Sequence, residues 1–181
     1  MRRVVVYLLM SLDAGVERPD QWLLDFDADM YENLRQVIQR QDDVLLGRVM
    51  YQEWSEYWPT ATDEPFASFI NGVTKHVVTS DDAKLSWDNS TRISGDVVEY
   101  VKALKQSEGR DIGVHGSLTL AESLIRAGVV DELRLVVAPA LAGSGRRLFN
   151  DDVPRNLKAL SSKLSSSGSL LLAYDVLGAH D

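Results

Sequence analysis

What most limits the folds open to this chain is a repeated change of hydrophobic period. Short runs rich in β-branched residues alternate with stretches whose apolar residues recur every three or four positions. Val4–Ser11, Asp43–Gly47, Lys75–Thr79, Thr91–Ser94, Asp111–Val114 and Glu132–Val137 read as strands. Asp27–Arg40, Arg48–Tyr57, Asp96–Gln106 and Ser117–Ala127 read as helices, the first with Met30, Leu34, Val37 and Ile38 along one face. Such alternation predicts an α/β fold with a central, mostly parallel sheet and helices on both faces, in three layers. The tail breaks the pattern. Leu157–Ser165 and Ser169–Val176 flank Ser166-Ser167-Gly168, which predicts an antiparallel hairpin at one sheet edge. Residues 13–25, 59–73 and 81–90 read as loops or irregular chain.

A length of 181 residues suits one domain, and no shift in composition divides it, so residues 1–181 are read as a single unit. The net charge of −8 argues against general affinity for nucleic acid or for an anionic membrane surface. The absence of cysteine removes disulfides, thiolate nucleophiles and thiolate-bound zinc, and fits a cytoplasmic location. The apolar run Val4–Met10 follows two arginines but is short and β-branched, so it reads as a buried first strand rather than a signal segment. His76, His115 and His180 lack metal-ligand spacing, and no metal is expected. For His115 a packing or hydrogen-bonding role is favoured, and His180 stands in the tail.

In open α/β sheets ligands sit outside the carboxyl ends of the strands. Several strand exits here suit an anion. Gly47-Arg48 puts a guanidinium at a helix start, Thr79-Ser80 supplies two hydroxyls, and Gly116-Ser117 opens a helix directly after a strand. Each feature also has a purely structural reading, with Ser117 as a helix cap and Thr79-Ser80 as a turn. Gly113-Val114-His115-Gly116 is neither a dinucleotide fingerprint nor a Walker loop. Asp13 follows the first strand, as a turn residue or as a group facing the ligand. Tyr51, Trp54, Tyr57 and Trp58 could wall a flat-ring pocket, although helical spacing also places them in a core.

Met10-Ser11-Leu12-Asp13, the stretch LLGRVMYQEWSEYWP, Thr79-Ser80, and GVHGSLTLAESLIRAGVVDELRLVVAPALAGSGRRLF together resemble the dihydrofolate reductase-like superfamily. Within it they are most similar to the C-terminal reductase domain of the riboflavin-biosynthesis deaminase-reductase. The resemblance implies a dihydrofolate reductase-like fold and an NADPH site. Gly47 and Arg48 would face the adenosine 2′-phosphate, with Thr79 and Ser80 close by. Gly113, Gly116, Ser117 and Leu118 would hold the diphosphate. Asp13 would lie in the substrate region, as a substrate-binding residue or proton donor, and Trp22, Tyr51 and Trp54 would line the substrate. No deaminase half is expected within these residues, since its zinc signature needs cysteine.

The expected activity is hydride transfer from NADPH to a small heterocyclic or sugar-derived substrate, as in 5-amino-6-(5-phosphoribosylamino)uracil reductase. A homodimer is expected, with the closing hairpin and Leu170-Leu171-Leu172 as one possible interface. Two other readings stand beside this one. A true dihydrofolate reductase would need a first-helix carboxylate facing the pterin, for which Asp27, Asp29 or Glu32 are available. A non-catalytic, dimeric nucleotide-binding protein would keep the fold without the reaction.

Overall fold

β1 (Val4–Ser11) takes the middle of the sheet because both of its faces are apolar. Val4, Val6 and Leu8 enter one hydrophobic cluster, while Val5 and Tyr7 enter a second on the opposite face. The computed structural model describes residues 1–80, 85–149 and 153–177. The loop expected over 81–90 is therefore described only from 85 onward, and His180 lies outside the described residues.

The strands that follow are β2 (Gln41–Gly47), β3 (Thr74–Val78), β4 (Ser90–Ile93), β5 (Asp111–His115), β6 (Glu132–Ala138), β7 (Leu157–Leu164) and β8 (Leu170–Val176). The helices are α1 (Ala28–Ile38), α2 (Arg48–Tyr57), α3 (Phe66–Gly72), α4 (Val97–Gln106) and α5 (Leu118–Arg126). The described strands form one eight-stranded sheet in the order β4-β3-β2-β5-β1-β6-β8-β7. β1 to β6 pair in parallel, and β8 runs antiparallel to both β6 and β7.

The chain first walks from β1 outward through β2, β3 and β4, with α1, α2 and α3 packed on one face. It then returns to β5, beside β1, and continues to β6 with α4 and α5 on the other face. Right-handed crossovers in opposite directions require this division of the helices. The connections after β2 and β5 therefore diverge, and a crevice opens where these two neighbouring strands end.

The stretch expected to be irregular, 59–73, contains α3. Its seven residues bury Phe66, Ala67 and Ile70 against the sheet, and its C-terminal carbonyls are capped from outside the helix. The Lys75 ammonium, fully buried in β3, donates to the Ile70 and Val73 carbonyls at 2.9 Å each. A helix this short with a cap from the next strand carries little local signal. β2 also begins two residues earlier than expected, at Gln41, with an irregularity between Gln41 and Asp43.

The hairpin is present and seated. Its turn is fastened to the start of α1, where Asp27 accepts from the Ser167 N–H (2.8 Å) and Asp29 from the Ser166 N–H (3.0 Å). Lys163 also donates to Asp29 (2.6 Å). Among the described residues, no helix is long and apolar enough to cross a membrane.

Candidate functional site

Gly47 ends β2 and Gly116 follows β5, so the crevice between these strands is bordered by the starts of α2 and α5. The change from β5 to α5 is made in three residues. The Ser117 N–H donates to the His115 carbonyl at 2.9 Å, closing a γ-turn around Gly116. Gly116 has φ 69°, a left-handed value that a side chain would strain. A Cβ there would also stand 3.0 Å from Met50 Cε and 3.4 Å from Trp54 Cζ2.

The helix starts fall into two kinds. α1 is capped by Asp27, which accepts from the Met30 N–H at 2.9 Å, and α4 by Asp96, which accepts from the Glu99 N–H at 2.9 Å. Both carry a further acid in the first turn, Asp29 and Glu99. At the start of α3, Glu64 accepts from the Ser68 N–H and hydroxyl. α2 and α5 have neither a side-chain cap nor an acid in the first turn. A missing side-chain cap costs up to about 1 kcal/mol, and less where glycine is the cap residue, as at Gly47. Here the two cap-less starts meet at one place, and their dipoles favour negative charge there.

The expected cofactor residues distribute as follows. Arg48 is the first residue of α2 and is exposed. Thr79 and Ser80 leave β3 beside Gly47, whose register partner is Val78. Gly116, Ser117 and Leu118 form the other wall. The Gly47 N–H donates to Ser117 Oγ at 3.0 Å and ties the two walls together.

Gly113 sits apart from these, buried inside β5 between Val5 and Val44. The space in front of it holds the Gln41 amide, whose Oε1 would clash with an added Cβ. That amide bonds His115 Nε2 at 2.7 Å. His115 packs against Phe66 and Tyr7, with ring centroids at 5.3 and 5.8 Å, and has the packing and hydrogen-bonding surroundings expected for it.

Asp13 stands past β1, in a setting unlike that of a proton donor. Ser11 Oγ donates to its Oδ1 at 2.6 Å, and the Ala142 and Gly143 N–H groups donate to its two oxygens at 2.9 Å each. The Ser11 hydroxyl first, and then the two amides, hold the carboxyl down to about 2. A carboxyl this acidic is ionised at neutral pH, so proton delivery by Asp13 does not fit this geometry. Its visible work is to clamp the loop after β6 onto the end of β1.

Of the expected substrate residues, Trp54 borders the crevice, half-buried beside Gly116 and edge-on to Trp58 (5.8 Å) and Phe66 (5.5 Å). Tyr51 is in the core, its hydroxyl accepting from the Trp87 N–H at 3.0 Å. Trp22 is buried too, its indole N–H donating to the Glu17 carbonyl at 2.8 Å. Sequence reasoning did not single out Met50 or Gln41; only the backbone path of β2 and β5 brings them to Gly116 and Gly113. A cavity of about 230 Å³ lies at the amino ends of β6 and β7, lined by Leu133 and Leu157 among others. No helix starts there, so the chemistry points to the crevice instead.

Comparison with known proteins agrees with this architecture. The protein YyaP of Bacillus subtilis (strain 168), itself uncharacterized, is 29% identical over 182 residues, covering 96% of this chain and 94% of YyaP. A Shewanella sp. PV-4 protein ascribed to riboflavin biosynthesis has the same fold, with a TM-score of 0.77 at 15% identity over 97% of this chain and 99% of that one. A deaminase/5-amino-6-(5-phosphoribosylamino)uracil reductase from Thermotoga maritima aligns over 97% of this chain and 57% of its own, with a TM-score of 0.71 at 12% identity. The RibD C-terminal domain model matches residues 2–171, and the chain belongs to that family of reductase-like proteins.

Proposed function

We propose that this protein is an NADPH-dependent reductase acting on a C=N or C=O bond of a small heterocyclic or sugar-derived substrate. The observation that carries the reading is the meeting of two cap-less helix starts, α2 and α5, at the crevice between β2 and β5. Donors of one polarity converge there with no carboxylate in either first turn, which fits a diphosphate. Arg48, beside Thr79-Ser80, fits a terminal phosphate, because a guanidinium can grip two phosphate oxygens in parallel. The reductase name of the Thermotoga maritima neighbour supports a heterocyclic substrate.

When bound, NADPH supplies the hydride. The protein's part is placement. α2 and α5 would hold the phosphates, Asp13 clamps the loop after β6 onto the end of β1, and Met50 and Trp54 stand beside Gly116. Two observations weigh against the dihydrofolate reductase reading. Asp27 and Asp29 are committed to the hairpin turn, and Glu32 pairs with Arg35 on the exposed side of α1.

Titration with NADPH and with NADH, followed by tryptophan fluorescence, tests the reading. NADPH is expected to saturate and to bind much more tightly than NADH. Arg48→Ala should weaken NADPH about tenfold to a hundredfold, the range for one charge-assisted contact. No saturable binding of either nucleotide would sink the proposed site, and binding without turnover of any candidate substrate would favour the non-catalytic reading.

A further inference from the structure

We infer that Ser117 is a positioning residue whose hydroxyl ties the starts of α2 and α5 together at the crevice, so that one diphosphate meets both; this rests on the NADPH reading above. A serine in this position ordinarily accepts from the second or third N–H of its own helix. Ser117 makes no such bond. Its Oγ instead accepts from the Gly47 N–H at 3.0 Å, across 70 residues of sequence and from one crossover unit to the other. The group is 5% exposed, so water does not compete for this bond as it would at a surface.

The clamp has two consequences. The Gly47 N–H is already satisfied, and so the anion meets the helix first turns rather than the strand end. The lone pair facing Gly47 is also occupied, which turns the Ser117 O–H hydrogen away from that residue. Among the described residues nothing accepts that hydrogen. α2 and α5 lie on opposite faces of the sheet. The Ser117–Gly47 bond couples their starts directly.

A ligand that uses both helix starts should feel the clamp, whereas one that uses α2 alone should not. NADPH is of the first kind. Adenosine 2′-monophosphate, which lacks the diphosphate, is of the second and probes Arg48 only. In fluorescence titrations, Ser117→Ala should weaken NADPH by roughly tenfold, the loss of one bond supporting a charged ligand. It should leave adenosine 2′-monophosphate within about twofold, while Arg48→Ala weakens both. Ser117→Thr keeps the hydroxyl and should bind NADPH within about threefold of wild type.

Amide hydrogen exchange gives a readout independent of ligand. The Gly47 N–H should exchange faster in Ser117→Ala and remain protected in Ser117→Thr. Two outcomes overturn the inference: Ser117→Ala weakening NADPH and adenosine 2′-monophosphate alike, or leaving NADPH within twofold. A wild type that binds neither nucleotide overturns the NADPH reading and this inference together. That case is told apart by needing no variant at all.

Discussion

Burying an imidazole with no ionic partner decides its protonation. His115 is 3% exposed, and desolvation pushes it from the usual 6.5 down to about 3. The Gln41 oxygen facing Nε2 accepts, so Nε2 carries the proton of a neutral ring. A histidine held neutral here supplies no imidazolium at physiological pH. It does make stability pH-dependent. Between pH 6.5 and about 3 the unfolded chain binds a proton at this residue that the folded chain does not, so stability falls on acidification through that window. The slope approaches about 1.4 kcal/mol per pH unit for one proton. Urea midpoints measured from pH 7 to pH 4.5 should fall for the wild type and stay flatter for His115→Leu. Equal slopes would place the linked proton elsewhere. The lowered pKa values of Asp13, Asp27, Asp29 and Asp43 belong to a lower window, because stability that depends on depressed carboxyls is present above about pH 4 and lost below it.

α3 shows how a short element can depend on a neighbour. Seven residues cannot sustain a helix in water, and its C-terminal carbonyls end inside the protein. Lys75 satisfies them from β3, with its ammonium 4.6 Å from the centre of the Trp87 ring. Desolvation lowers this ammonium from 10.5 to about 8, which still leaves it charged at neutral pH. Lys75→Met keeps the bulk but strips the donors, leaving buried carbonyls without partners. That should cost about 2 kcal/mol or more in urea unfolding at pH 7, and a loss under 0.5 kcal/mol would mean the carbonyls find other donors. The same dependence explains what could be read in advance. The sheet was legible because β1, β2, β5 and β6 carry short, near-continuous apolar runs, and α1, α4 and α5 carry their apolar residues at helical period. α3 was not, because its cap comes from a residue beyond its own end. At the crevice, Gly47, Arg48, Gly116 and Ser117 were legible as strand exits. Gly113 read as one more phosphate glycine, since a gap filled by Gln41 looks the same in sequence as a gap left for a ligand. Asp13 read as an acid near the site for a similar reason, because its three donors include two amides from residues 142 and 143.

For the whole molecule, the two directions of chain travel leave unequal edges. β4 closes one side as a four-residue strand beneath the return of the chain to β5. On the other side β7 extends past both helical layers, and all eight of its residues are exposed. Leu157, Leu160 and Leu164 are 40%, 44% and 64% exposed, and its outer backbone groups have no strand beside them among the described residues. Edge strands are usually blunted by charge or cover. Here the charges are Lys158 and Lys163, and Lys163 is drawn to Asp29 on α1. A strand edge presented to its own copy across a two-fold axis is self-complementary, since antiparallel pairing places each strand's start against the other's end. We therefore expect a homodimer closed through β7. Light scattering on the purified chain at micromolar concentration should give twice the single-chain mass. The double variant Leu160→Lys, Leu164→Lys should return it to one chain with an unchanged far-ultraviolet circular dichroism spectrum. The crevice at β2 and β5 lies on the far side of β1 from β7, so nucleotide binding should survive in that variant. A wild type that runs as a single chain would instead mean that the leucines of β7 are covered by no second copy, and that the hairpin stands on its contacts with β6 and α1 alone.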